Sequence, residues 1–199
     1  MAAFESAGYW EKRYAAGGNS GIGSYGRLAR FKADVVNSII GEFGVSSVVD
    51  FGCGDGNQLA LLNVPAYLGL DPSRTVIAQC RERFHGDETK AFVQEYDFDP
   101  ASRADLGLSM DVLYHLIEDH RFESYMHRLF LSSRRVVVIY APDRDGEARA
   151  RHVRLRRFSP WIARNAADWK LWKRIGNLYP KGDPADKETS FCDFHIYVR

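Results

Sequence analysis

The chain is poor in cysteine and has no long apolar run. Its 199 residues include only three cysteines, Cys53, Cys80 and Cys192. Because they are odd in number and far apart, they argue against a disulfide framework or a zinc site and favour a reducing compartment. No apolar run approaches the roughly 20 residues that a membrane-spanning helix needs, and the first residues lack the apolar stretch of a signal peptide. We therefore expect a soluble cytoplasmic protein without a membrane partner.

The chain also has almost no net charge. Its formal charge of +1 gives no general attraction to nucleic acid or membranes, so we expect no nucleic-acid partner. Cations are nevertheless concentrated in the segment 144–174, which holds ten Lys or Arg and three acidic residues. This basic segment is either a solvated helix face or a surface that meets an acidic partner or substrate, and the sequence leaves both open.

Strand-like and helix-like segments alternate as far as residue 140. Strands are predicted for 46–51, 66–70, 91–98, 106–110 and 135–140, with helices at 4–16, 27–43, 57–62, 73–84 and 122–130. This alternation predicts βαβ units with right-handed crossovers and a parallel sheet. A helix at 154–165 and strands at 169–175 and 191–199 follow. The length fits a single domain, 1–199.

A glycine-rich turn follows the first predicted strand. Residues 48–56 read VVDFGCGDG, with glycines at 52, 54 and 56. Such glycines let the main chain turn tightly and approach a ligand, and the N-terminus of the predicted 57–62 helix would favour negative charge. Asp71, at the end of the next predicted strand, can accept hydrogen bonds from ribose hydroxyls. The pattern indicates a nucleoside-containing ligand.

The spacing does not suit a nicotinamide dinucleotide. That fingerprint needs a glycine three positions after its second glycine, where this chain has Asn57. Asp55 would also repel a pyrophosphate. An adenosyl amino acid, which has no phosphate, fits better, and a glycine turn without a ligand would not account for Asp71.

The segment Asp50–Gly56 (DFGCGDG) resembles motif I of the class I S-adenosylmethionine-dependent methyltransferases. Asp71 matches the ribose-binding acid of that family, and Asp97 with Phe98 matches the acid and apolar residue beside adenine. The segment 109–116 (SMDVLYHL) resembles the motif after the fourth strand. The resemblance covers nearly the whole chain. It implies an α/β Rossmann-like fold with a seven-stranded, mostly parallel sheet whose last strand is antiparallel.

The resemblance implies S-adenosyl-L-methionine as the cofactor. The aromatic segment 9–14 (YWEKRY) is similar to one that folds over the cofactor in some members, so residues 1–26 are expected to form a strap and 143–165 a substrate lid. The expected cofactor contacts are Trp10, Tyr14, Tyr25, Gly52, Cys53, Gly54, Asp71, Pro72, Asp97, Phe98 and Met110. Within the family, the chain is most similar to small enzymes that O-methylate sugars or polysaccharide precursors, such as methylmannose polysaccharide methyltransferases.

An alcohol acceptor would need a base. Transfer to a hydroxyl requires in-line alignment and removal of the hydroxyl proton. His115, five residues beyond the fourth predicted strand, is the candidate, because the ordinary pKa of imidazole is near 6.5; Asp111 and Tyr114 are alternatives. Glu118 and Asp119 lie three and four residues later, where they could orient His115 or help to hold Mg²⁺.

The predicted function is therefore O-methylation of a sugar or polysaccharide precursor. The acceptor would be a small molecule or oligosaccharide, contacted by His152, Arg154 and Asp143, and the protein could be a homodimer. The alternatives are an O-methyltransferase of another metabolite or natural product, an RNA methyltransferase that uses the basic segment, and a degenerate methyltransferase fold that serves as a binding protein.

Overall fold

The computed structural model describes residues 4–147 and 150–199. The helices are α1 Ser6–Ala15, α2 Gly26–Phe43, α3 Arg74–Arg83, α4 Asp119–Leu131 and α5 Ser159–Asn165. The strands are β1 Ser47–Phe51, β2 Ala66–Asp71, β3 Lys90–Gln94, β4 Ala104–Met110, β5 Ser133–Ala141, β6 Lys170–Ile175 and β7 Asp193–Val198. Residues 1–3 of the predicted strap and 148–149 of the predicted lid lie outside the described residues. None of the described helices is long and apolar enough to cross a membrane.

The strands form one sheet in the order β3-β2-β1-β4-β5-β7-β6. The first five are parallel, and β7 runs antiparallel between β5 and β6. This arrangement confirms the predicted Rossmann-like class I methyltransferase fold. The strand order reverses between β1 and β4, so the carboxyl ends of these two strands border the crevice in which open α/β sheets bind ligands.

Two apolar clusters cover the two faces of the sheet. One cluster includes Phe31 and Val36 of α2 and Ile77 of α3. The other includes Met126 of α4 and Trp161 of α5. The run Val136–Ile139 in β5 is fully buried, as expected for a central strand covered on both sides.

The ends of two helices follow from local chemistry. The side chain of Ser73 accepts a hydrogen bond from the Val76 N–H and so caps the N-terminus of α3. Helix α2 ends at Gly44, whose left-handed conformation (φ 56°) supplies the usual C-terminal stop.

Two predicted elements are wrong in detail. The helix expected at 57–62 is only a 3₁₀ turn, Leu59–Leu61, because β2 begins at Ala66 directly after Pro65 and leaves no room for an α-helix. The strand expected at 91–98 ends at Gln94, since the Arg128 guanidinium binds the Glu95 carbonyl and holds a 3₁₀ turn there. No α-helix dipole therefore lies behind the glycine turn.

The helix expected at 154–165 begins five residues late. Pro160 lies in the first turn of α5, where its missing N–H does no harm, and it disfavours helix before it. The Asp143 carboxylate accepts the N–H groups of Phe158 and Ser159, at 2.8 and 3.1 Å. The Asp143 side chain thus supplies a hydrogen-bond acceptor for the main-chain N–H groups at the start of α5.

Candidate active site

A cavity of about 870 Å³, including its open mouth, lies at the carboxyl ends of β1, β2 and β4. Helix α1 forms part of its wall. Eight of the predicted cofactor contacts line it: Trp10, Tyr14, Gly52, Cys53, Gly54, Asp71, Pro72 and Met110. The fold thus brings together residues from four segments that are far apart in sequence.

Three predicted cofactor contacts lie outside the cavity wall. Asp97 is exposed and Phe98 is packed in the core, because the turn after β3 points Glu95, two residues earlier, into the cavity instead. Tyr25 donates its hydroxyl to Asp55, at 2.8 Å, and so fixes the strap. Glu95 was not identified from the sequence, since the predicted strand ran past it.

The glycines in the turn after β1 are required by close packing. Gly52 and Gly54 have φ of 89° and 55°, a region that disfavours side chains. A Cβ at Gly52 would lie 2.4 Å from a methyl group of Val112, and one at Gly54 would lie 2.3 Å from the Ser20 hydroxyl. Both positions thus require glycine, and both residues line the cavity.

Two buried aspartates line the cavity beside this turn. Burial raises the pKa of Asp71 to about 7, although hydrogen bonds from the Ser73 and Gly54 N–H groups act in the opposite direction and lower it. Burial likewise raises the pKa of Asp50 to about 6. Tyr67 donates to Asp50 Oδ2 at 2.7 Å, whereas Oδ1 has no hydrogen-bond partner among the described residues. A buried acceptor of this kind favours a ligand that brings donors.

These residues fit an adenosyl amino acid that carries positive charge. The cavity wall includes the carboxylates of Asp50, Asp71, Glu95 and Asp111. Gln58 Oε1, in the same wall, also has no partner among the described residues. Ribose hydroxyls and an ammonium supply donors, and a sulfonium supplies positive charge, so ligand and cavity are complementary.

Helix α1 is held across the cavity by two carboxylates. Glu118 accepts hydrogen bonds from the Ser6 N–H and hydroxyl, both at 2.8 Å. Glu11 accepts bonds from the hydroxyls of Ser73 and Thr75, both at 2.6 Å. The interactions join the strap to α4 and to the start of α3.

His115 lines the cavity, and its ring orientation is fixed by the main chain. Its Nδ1 lies 2.7 Å from the carbonyl oxygen of His152. Because a carbonyl only accepts, Nδ1 carries the proton and Nε2 keeps its lone pair. Burial lowers the pKa of His115 to about 4, well below the ordinary value assumed from the sequence, so the ring stays neutral at physiological pH.

The half-buried side chains of Asp111 and Tyr114 form a polar cluster with the buried Lys32. Asp111 has φ of 61°, and its carboxylate lies 2.6 Å from Lys32 Nζ. It also accepts the Tyr114 hydroxyl at 3.0 Å and faces the Cys192 thiol at 3.5 Å. Tyr114 is outside the cavity wall, and burial raises its pKa well above the ordinary value. Both alternative bases are thus engaged with protein partners.

Lys32 was not predicted as a site residue, although its position on an apolar helix face was a signal in the sequence. It lies four residues after Leu28 and three before Val35, on the apolar face of α2. A lysine on a buried helix face needs a partner, and here that partner comes from the turn after β4. Only the fold places Asp111 next to it.

The two side chains predicted to bind Mg²⁺, Glu118 and Asp119, interact with other groups of the protein. Glu118 holds the strap, and Asp119 forms ion pairs with Arg154 and Arg156, both at 3.0 Å. Within residues 4–147 and 150–199, no three His, Cys, Asp or Glu side chains are grouped as a metal site would require. Both carboxylates thus have protein partners in this structure, and Mg²⁺ binding by them stays a prediction.

The predicted acceptor contacts also have structural roles. Asp143 caps α5, as described above. Arg154 donates to the Ile117 carbonyl at 2.7 Å. The His152 ring stacks on Tyr9, with centroids 4.8 Å apart, and on His115 at 5.3 Å. His152 thus adjoins the cavity through His115.

Comparison with known proteins agrees with this geometry. Residues 49–137 match the family model described as a methyltransferase domain. A 47-residue stretch is 49% identical to the mRNA cap guanine-N(7) methyltransferase of Aspergillus oryzae, and it covers 21% of this chain and 9% of that protein. The curated relative is therefore matched over a small part of its length.

Solved structures share the fold over most of the chain. Magnesium protoporphyrin IX methyltransferase from Synechocystis, with bound S-adenosylhomocysteine, has a TM-score of 0.67 at 16% identity and 97% coverage of both chains. N-methyltransferase NodS from Bradyrhizobium japonicum, with the same ligand, has a TM-score of 0.68 at 15% identity and 98% coverage of both. The methyltransferase domain of bacterial CtHen1 has a TM-score of 0.63 at 19% identity, covering 85% of this chain and 97% of its own.

The matched residues 49–137 contain the glycine turn, Asp71 and the turn after β4. These elements build the cavity, and their donor and acceptor groups complement the cofactor of this family. The chain therefore shares the fold of class I S-adenosylmethionine-dependent methyltransferases, and its residues 49–137 match a methyltransferase domain.

Proposed function

We propose that the protein methylates a hydroxyl oxygen, with His115 as the general base. The observation that carries this proposal is the hydrogen bond between His115 Nδ1 and the His152 carbonyl, at 2.7 Å. It leaves Nε2 unprotonated on a ring that lines the cofactor cavity. An alcohol needs such an acceptor for its proton before it becomes a good nucleophile.

The residues of this chain then have distinct tasks. When bound, S-adenosylmethionine supplies a methyl group on a positively charged sulfur. Asp71 accepts the ribose hydroxyls, and helix α1 excludes water from the cavity mouth. His115 Nε2 takes the hydroxyl proton as the oxygen–carbon bond forms and the carbon–sulfur bond breaks. A base with a pKa of about 4 is weak, so alignment of the acceptor contributes much of the rate.

The acceptor in this proposal is a sugar or polysaccharide precursor. Trp10 lines the cavity, and its ring lies 5.0 Å from that of His115, centroid to centroid. Tyr9 and His152 extend the aromatic surface outward. An aromatic wall beside polar groups suits a polyol, which presents both C–H faces and hydroxyls. Residues 1–26 would act as the strap, 143–165 as a lid, and the chain as one domain.

Product analysis tests the proposal directly. The protein is incubated with isotopically labelled S-adenosylmethionine and separate sets of neutral sugars, phenols, amines and short RNAs. We expect a methyl ether on a sugar, identified by mass spectrometry as stable to mild alkali. Labelled amine or RNA products, with no labelled ether, would refute O-methylation of sugars.

An RNA acceptor is the second candidate, because a cap methyltransferase and CtHen1 are among the related proteins. The basic segment 144–174 is its predicted surface. However, Arg156 donates to the Leu116 carbonyl at 2.8 Å, and Arg174 pairs with Asp193 at 2.6 Å, so several of its cations serve the fold. RNA binding that weakens steeply with salt, together with RNA methylation, would favour this candidate.

A further inference from the structure

Arg13 has a charge that pairs with no acidic residue in the described part of the chain. It lies in the last turn of α1. Among the described residues its guanidinium donates only to Asn19, to the main-chain carbonyl at 2.6 Å and to the side-chain oxygen at 3.5 Å. Both acceptors are neutral. A guanidinium has five N–H bonds, so several remain for an acceptor outside the protein.

The two acidic residues of the strap have other partners. Glu5 pairs with Arg121 at 3.3 Å. Glu11 accepts hydrogen bonds from the hydroxyls of Ser73 and Thr75. The strap therefore supplies no counter-ion for the cation at the end of its own helix.

The unpaired guanidinium lies beside the proposed base. Its Cζ atom is 5.7 Å from the centre of the Trp10 ring, and that ring lies 5.0 Å from the His115 ring, centroid to centroid. Burial lowers the pKa of His115 and of its stacked neighbour His152, and the positive charge of Arg13 lowers both further. The charge is therefore felt where the acceptor hydroxyl would meet the base.

The sign of the charge differs between the cavity and this position. The carboxylates of Asp50, Asp71 and Glu95 line the cavity and suit a cofactor with a positively charged sulfur. Arg13 lies outside that wall, against the aromatic ring of Trp10. A guanidinium binds phosphate and carboxylate through two parallel hydrogen bonds. An anionic group on the acceptor would match the cation that the protein leaves unpaired.

We propose that the acceptor is an acidic sugar and that Arg13 binds its phosphate or carboxylate group. The inference rests on the proposed O-methylation of a sugar. A sugar ring that packs on Trp10 extends from Arg13 on one side to His115 on the other. Arg13 thereby selects acidic sugars over neutral ones and positions the hydroxyl at the base.

Calorimetry on the complex with S-adenosylhomocysteine tests this role without requiring turnover. The ligands are matched sets of neutral hexoses, their 6-phosphates and their uronic acids, all at one ionic strength. The proteins are the wild type, Arg13→Gln and Arg13→Lys. Arg30→Gln, which removes an exposed arginine of α2, is the matched control. The quantity compared is the affinity for each acidic sugar divided by that for its neutral counterpart, which cancels any general effect on the strap.

We expect this ratio to be about 10 to 100 in the wild type, as for one hydrogen bond between charged groups. Arg13→Gln should bring the ratio close to one, Arg13→Lys should keep part of it because the charge remains, and Arg30→Gln should not change it. The 6-phosphate and uronic acid sets show which anion is bound. A wild-type ratio near one, or an unchanged ratio in Arg13→Gln, would overturn the role of Arg13.

A second measurement separates this role from the proposed function. Each sugar is incubated with labelled S-adenosylmethionine and the wild-type protein. If acidic sugars bind through Arg13 but none receives a methyl group, sugar O-methylation fails and the anion site stands. If neutral sugars are methylated and the binding ratio is near one, the anion site fails and O-methylation stands.

Discussion

At the scale of single residues, burial decides which groups carry charge in the site. It raises the pKa of Asp71 to about 7 and lowers the pKa of His115 to about 4. The acid is therefore near its midpoint at physiological pH, whereas the imidazole is fully neutral. The two groups should titrate in separate pH ranges and can be distinguished by experiment.

Cofactor affinity should follow the ionisation of Asp71. In the proposed role the Asp71 carboxylate accepts the ribose hydroxyls, and protonation replaces one acceptor oxygen with a donor and removes the charge, so the dissociation constant of S-adenosylhomocysteine should rise as pH falls below about 7. Calorimetry between pH 5.5 and 8.5 measures this. Asp71→Asn should bind more weakly at pH 8, by roughly 1–3 kcal/mol, and with a flatter profile. A wild-type affinity that is constant over this range would contradict the role of Asp71.

Loss of the base should affect turnover more than binding. His115→Ala should lower kcat by about 10²-fold or more and leave the affinity for S-adenosylhomocysteine nearly unchanged. With saturating cofactor, the wild-type kcat should not fall between pH 8 and pH 5, since the pKa of His115 is about 4. Full activity of His115→Ala would contradict the role of His115 as the base. The transfer would then depend on the alignment of the acceptor alone.

At the scale of elements, we propose that α1 covers the cavity, where the carboxylates of Glu11 and Glu118 hold it in place. Glu11→Gln should weaken the attachment to Ser73 and Thr75 and speed the release of S-adenosylhomocysteine by about 3- to 10-fold, as expected for a loosened lid. Stopped-flow fluorescence of Trp10, which lies in the cavity wall, reports the release. Glu88→Gln, on an exposed turn, is the control, and equal rates for the two variants would argue against a cover.

The sequence predicted the strands better than the segments around the site. The apolar run of β5 is continuous, so its burial follows from composition alone. The turn after β3 could not be predicted in this way, because the Arg128 contact that ends the strand comes from α4, 33 residues away in sequence. The Lys32–Asp111 pair spans 79 residues, and no local pattern links its two members. Long-range partners, rather than local propensity, decide these positions.

At the scale of the whole molecule, one sheet separates two apolar clusters that share every central strand. Leu106 in one cluster and Leu129 in the other are fully buried. Alanine at either position should lower the free energy of unfolding by about 2–5 kcal/mol. Because the clusters share the sheet, each variant should show a single transition at a lower melting temperature in calorimetry. Two separate transitions would contradict the prediction that residues 1–199 form a single domain.

The contact between His115 and residue 152 has an evolutionary consequence. Every amino acid supplies the same main-chain carbonyl, so replacing the side chain at 152 leaves the oxygen that fixes the imidazole in place. Point substitution there is tolerated by the base, whereas an insertion or deletion that shifts the path of this loop is not. Related chains should therefore keep the length of this loop, and a search for an invariant side chain that accepts the Nδ1 proton of the histidine would find none.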